Sequence, residues 1–216
     1  GLYLDSRNFR AEVSLYMGLA INILFGLFKG ISGIYYHTPW LWSMGIYYFA
    51  LGAIRFMLIQ NLHRISVYND EMVQKLRQYK TYRLCGSMMM LLNLTITGMT
   101  VQMIWQNKAN EYSKSAVIIS AAFTFYCFIL SIYNVVKFHR SSNAILTAAK
   151  DLALTGALMS MFSLQTAMLH TFSTPAEQRF QKIMNSVTGG AVIAAVIAIA
   201  TIMIINGTNK IKKYSR

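Results

Sequence analysis

Apolar and polar positions segregate along this chain in long blocks rather than alternating residue by residue. Six predominantly apolar runs stand at about 13–36, 40–62, 84–106, 116–136, 151–171 and 188–206. A hydrocarbon layer about 30 Å thick is crossed by roughly 20 helical residues, so every run is long enough to span it. With 216 residues, the chain has too little polar sequence to wrap six such runs as the core of a soluble protein. The expected fold class is therefore all-α, a polytopic membrane protein with six transmembrane helices forming one domain over residues 1–216.

The connections refine that picture. His37-Thr38-Pro39 leaves hardly any loop between the first two runs, which predicts a tight antiparallel hairpin. The same reasoning groups the six runs as three helix hairpins at about 13–62, 84–136 and 151–206. Between the second and third runs, Asn69 is suited to cap a helix whose first turn carries Asp70 and Glu71. Met72, Leu76, Tyr79 and Arg83 then share a face, predicting an amphipathic cytoplasmic segment at about 69–83. It is either the third span protruding or a helix lying on the leaflet. Thr174-Pro175-Ala176-Glu177 reads as a capping box that starts another helix, with Gly189-Gly190 as a bend into the last run.

Charge adds orientation. Arg7, Arg10, Arg64, Lys75, Arg77, Lys80, Arg83, Lys137, Arg140, Lys150, Lys210, Lys212, Lys213 and Arg216 fall on one side of a six-span layout, against Lys108, Lys114, Arg179 and Lys182 on the other. Basic residues are retained in the cytoplasm, so both termini are expected there. Trp40, Trp42 and Trp105 all fall at span ends on the opposite side, where indole rings favour the headgroup zone. The net charge of +13 is thus read as a signal for anionic lipids at the cytoplasmic face, with no nucleic acid as partner.

Polar residues inside the runs supply the candidate site. Asn22, Gly26, Lys29 and Gly33 lie at relative positions 0, 4, 7 and 11 of one helical stripe. Asn93, Thr97, Thr100 and Ile104 repeat that spacing in the third run, as do Gly156, Ser160, Ser163 and Ala167 in the fifth. Two readings compete: small residues that merely let helices pack closely, or three odd spans forming an inner ring around a polar cavity. In the second reading Lys29 is the central charge, and Asn22, Asn93, Thr97, Thr100, Ser160 and Ser163 are neutral lining. Lys29 lies roughly 10 Å below the aromatic exit at Tyr35-Tyr36, where it either snorkels outwards or faces the interior. Arg55 is the second charge within a span. It is read as an ion pair with Asp151, or with Glu12 as second candidate, or else as a gate for anions on the cytoplasmic side.

Other chemistries find less footing. Cys85 and Cys127 have no C-x-x-C spacing, and the numerous Met lack Cys or His at ligand spacing, so no metal and no cofactor is expected. The seven acids are scattered rather than paired, which argues against an enzyme.

The segments GIYYHTPWLW, YYFALGAIRF, SLQTAML and MNSVTGGAV resemble small polytopic membrane proteins of bacteria. That resemblance implies a bacterial inner (cytoplasmic) membrane and carries no activity. The three-hairpin layout is similar to that of mitochondrial carriers, but their repeated Pro-acid-basic signature is absent, which rejects that family. The function expected is a small transporter or channel for an anionic or amphiphilic small solute. The alternative is a non-catalytic membrane subunit, packing against a partner protein or a second copy through its glycine and alanine stripes.

Overall fold

The computed structural model describes residues 2–35, 37, 39–66, 68, 70–106, 118, 121–122, 124–126, 128–129, 143–172 and 177–214. Five long helices account for most of them: α1 (Leu2–Tyr35), α2 (Pro39–Ser66), α3 (Glu71–Gln106), α4 (Ala144–Phe172) and α5 (Gln178–Tyr214). The described residues contain no strand. All five helices are long and apolar enough to cross a membrane, so the chain has the build of an integral membrane protein. The run at 116–136, expected as the fourth of six spans, lies mostly outside the described residues.

Local chemistry sets the helix ends. Pro39 occupies the first position of α2, where a missing N–H costs nothing. His37 turns the chain with φ 49° and donates its N–H to the Ile34 carbonyl at 3.3 Å. Asp70 caps α3, its carboxylate accepting the Met72 N–H at 2.8 Å; Asn69, the expected cap, lies outside the described residues. Asn143 does the same for α4 through the Ile145 N–H at 2.9 Å. The amphipathic segment at 69–83 is no separate surface helix, because α3 runs unbroken from Glu71 to Gln106. Likewise α5 passes through Gly189-Gly190 as one helix. Gly189 is explained by packing, since a methyl there would stand 2.9 Å from the Phe162 ring. The capping box at 174–176 lies outside the described residues.

Two antiparallel pairs organise the bundle. In the α1–α2 hairpin the backbones meet: a methyl at Gly33 would lie 2.6 Å from the Trp42 nitrogen, and one at Gly45 would lie 2.8 Å from the Gly30 nitrogen. Here the glycine stripe serves close approach, as small residues do between membrane helices. The α3–α5 pair runs nearly the length of both helices, from the stacked Tyr79 and Tyr214 rings to Thr100 beside Gly189. Helix α4 packs against all four others, and α1 touches only α2 and α4 among the five.

This arrangement corrects the expected inner ring of odd spans in part: the fifth span, α4, is central, but the first and third, α1 and α3, are not. The most enclosed helices are α2 and α4, each 61% buried over its most apolar stretch, against 28% for α1, 33% for α3 and 22% for α5. The reason is visible in α2, whose Leu41, Met44, Tyr48, Leu51 and Leu58 are all buried. A helix that is apolar on several sides buries most surface when it is placed centrally. Outward faces are apolar, with Ile31, Ile34, Leu91, Leu94, Val187 and Ile202 exposed, as a lipid-facing surface requires. Arg64, Lys75, Arg77, Lys80, Arg83, Lys210, Lys212 and Lys213 gather at one end of the bundle, as the pairing of Arg83 with Gly207 and of Tyr79 with Tyr214 dictates. At about 55 Å, α5 exceeds the hydrocarbon thickness, so an end of it extends beyond that layer.

Candidate functional site

Helices α1 and α4 run parallel, and their stripes stand side by side. Lys29 donates from Nζ to the Ser163 hydroxyl at 3.1 Å. One repeat step below, Asn22 faces Gly156, whose added methyl would lie 3.9 Å from the Asn22 amide oxygen. Both pairs carry the same offset, so the alignment of the two stripes read from spacing is also their alignment in space. Lys29 is 2% exposed and Ser163 fully buried. The ammonium therefore does not snorkel, and its contact to Ser163 fixes it in the seam.

Helix α2 closes the third side of this seam. The Tyr48 hydroxyl donates to the Gly156 carbonyl at 3.2 Å, and the Tyr48 ring stacks on Phe25 with centroids 5.2 Å apart. Further towards the basic end, Arg55 lies 4% exposed with its guanidinium laid against Gly18, where an added Cβ would overlap it. A buried Nε and the buried Asn22 Nδ2 both lack a hydrogen-bond partner. From Gly18 to Lys29 the seam rises about 16 Å along α1. It thus holds a guanidinium at one level, an amide and a phenol in the middle, and an ammonium at the top.

The predicted Arg55–Asp151 pair does not form. Among the described residues no carboxylate oxygen lies within 4.0 Å of Arg55, and the Asp151 carboxylate accepts the Tyr82 hydroxyl at 3.3 Å instead. The cause of the correction is direction: Arg55 is turned to α1 and Gly18, whereas Asp151 is held by α3. The side chain of Glu12, the second candidate partner, lies outside the described residues.

The remaining expected lining residues lie away from the Lys29–Ser163 contact. Asn93 is buried and donates from Nδ2 to the Ile193 carbonyl of α5 at 3.3 Å. Thr97 is half-buried and returns its hydroxyl to the Asn93 carbonyl of its own helix at 2.7 Å. Thr100 is buried beside Gly189, with a hydroxyl that has no partner. Ser160 shares a 3.2 Å hydrogen bond with Thr124. Of the seven proposed lining residues, then, the structure brings together Asn22, Lys29 and Ser163. Sequence reasoning missed Gly18, Tyr48 and Tyr82, because each acts through a residue on another helix and none belongs to the repeated stripe.

A concavity of about 290 Å³ lies away from this seam, between α2 and α3, lined by Ala50, Ala53, Ile54, Met57, Met88, Leu91 and Leu92. It is wholly apolar. Comparison with protein-family models and with curated proteins finds no match for this chain.

Proposed function

We propose that the chain is a small membrane transporter or channel for an anionic or amphiphilic small solute, with the α1–α2–α4 seam as its pathway. Lys29 carries the reading: an ammonium 2% exposed and bonded to Ser163 sits well inside a membrane-spanning helix. Intramembrane cations that face the bundle rather than the lipid mark solute or ion pathways. Coulomb attraction for an anion strengthens where water is excluded, and Arg55 on the same seam adds a second positive charge. In this reading Asn22 and Ser163 line the path, Asn93, Thr97, Thr100 and Ser160 support it from neighbouring helices, and Asp151 with Tyr82 stands beside its basic end. The full architecture is six spans in three hairpins, with both termini in the cytoplasm of a bacterial cell and the basic end against anionic lipid.

Flux through reconstituted vesicles tests it. Lys29→Gln should lose uptake or anion preference while folding survives, and Lys29→Arg should retain some activity. Unchanged flux in both variants, or no flux in the parent, would sink the reading. Topology is tested separately: membrane-impermeant thiol reagents should label cysteines placed at Asn110 and Gln178 from outside, and leave those at Gln74 and Asn143 unlabelled.

A second reading, a non-catalytic subunit joined to a partner or to another copy, has the apolar concavity between α2 and α3 in its favour. Cross-linking at Ala53 and Leu91 to a co-purifying membrane protein, with no flux in the parent, would select it.

A further inference from the structure

Inside the seam, one basic side chain is built into its place, and among the described residues no carboxylate reaches it. Arg55 is 4% exposed, and neither an ion pair nor a hydrogen bond joins it to any described residue. Gly18 makes its seat, since any side chain there would displace the guanidinium. A Cβ at Gly18 would overlap Nη1 and stand 3.3 Å from Nε, and the buried Nε has no hydrogen-bond partner. One turn along α1, about 6 Å away, the amide Nδ2 of Asn22 is a second buried donor without an acceptor. Asn22 is itself 5% exposed and packs beside Gly52 and Gly156. Buried donors are seldom left unmade, because each carries the full desolvation penalty. Two of them in one seam, one charged, call for an acceptor that is negatively charged.

We propose that Arg55 and Asn22 form a binding site for a carboxylate group, held by the guanidinium edge and steadied by the amide. A planar carboxylate matches a guanidinium edge with two parallel hydrogen bonds. A spherical halide accepts without that match. The site names the charged group of the solute within the transport reading and rests on that reading for its role. Lys29, about 16 Å further along, is then the next cation a carboxylate meets.

The test is thermal stability of the purified full-length protein in detergent, with sodium acetate, inorganic phosphate or sodium chloride added at matched ionic strength. Acetate should raise the melting temperature of the parent in a saturable way, and chloride should not. Arg55→Lys keeps the charge but loses the edge, so the acetate concentration for half-maximal shift should rise at least tenfold. Asn22→Leu should weaken acetate less, and Gly18→Ala should abolish the shift by dislodging the guanidinium. Phosphate acting as strongly as acetate would make the ligand an oxyanion of another class and overturn the carboxylate assignment. So would an acetate effect that survives Arg55→Lys, or one that emerges only in Glu12→Gln, which would make that carboxylate the native occupant. Nanodiscs of anionic and of zwitterionic lipid separate a headgroup from a free solute. An acetate shift lost only in anionic discs would assign the seat to lipid and overturn the solute site. Failure of transport is distinguishable: an Arg55-dependent acetate shift with no flux in the parent keeps the site and sinks the pathway, whereas flux without the shift does the reverse.

Discussion

Two interhelical seams of this molecule are built on glycine; both use it for close approach, and one also uses it to seat a charged side chain. In the α3–α5 pair, glycine brings surfaces together: methyls at Gly86 and Gly207 would lie 2.8 Å from the Met203 Cβ and 2.9 Å from the Arg83 Cβ. Polar groups of this region bond across its interfaces at two points, while the buried Thr100 hydroxyl has no partner. Asn93 bonds the Ile193 carbonyl, and between α4 and α5 the Gln165 amide reaches the Thr188 hydroxyl at 2.8 Å. In the α1–α2–α4 seam, Gly18 instead leaves room for a guanidinium, and donors remain unbonded at Asn22 and Arg55. A stripe of small residues thus reports close approach alone. What fills the space depends on the facing helix.

The comparison breaks most readily at the buried ammonium. Lys29→Met should lower anion flux at least tenfold, or about 1.4 kcal/mol in the relevant barrier. Its melting temperature in detergent should hold or rise, because an apolar side chain of similar volume avoids the cost of burying charge. A large loss of stability would mean that the ammonium organises the fold and would erase the distinction between the seams.

The packed pair should respond the other way. Gly86→Val forces a branched side chain onto Met203 and should cost about 1–3 kcal/mol in reversible unfolding. The anion preference of whatever flux remains should not change. Altered selectivity in that variant would show the two seams to be coupled.

A thermodynamic cycle on Arg55→Ala and Asp151→Asn comes next in size. With Asp151 held by Tyr82 and Arg55 seated on Gly18, the two losses should add within about 0.5 kcal/mol. A larger coupling energy would restore the direct ion pair. The smallest expected effect lies in the α3–α5 interface: Asn93→Leu removes one interhelical hydrogen bond and should cost about 0.6 kcal/mol. A loss several times larger would make that interface as dependent on its polar groups as the seam is proposed to be.

Much of the helical layout was legible in the residues themselves. Block hydropathy located the helices at the described spans, and His37-Thr38-Pro39 identified the first hairpin, because a turn this short permits only antiparallel neighbours. Repeated spacing paired Asn22 with Gly156 and Lys29 with Ser163, since helices of equal pitch running parallel keep a constant offset. Spacing could not tell which helices would be central. Nor could it tell which part of the α1 stripe serves close packing, as Gly33 does against Trp42 and Gly30 against Gly45 of α2.

The sequence by itself determined the helical, membrane-crossing character of this protein, the basic end, and the residue types available for a site. Those properties follow from local composition and from the 3.6-residue period, which need no knowledge of neighbours. Only the tertiary structure decided that Lys29 turns to Ser163, that Arg55 settles on Gly18 rather than on Asp151, and that α2 and α4 form the centre. Direction of a long side chain is set by whichever facing helix leaves a space, and that space belongs to no single segment of the chain.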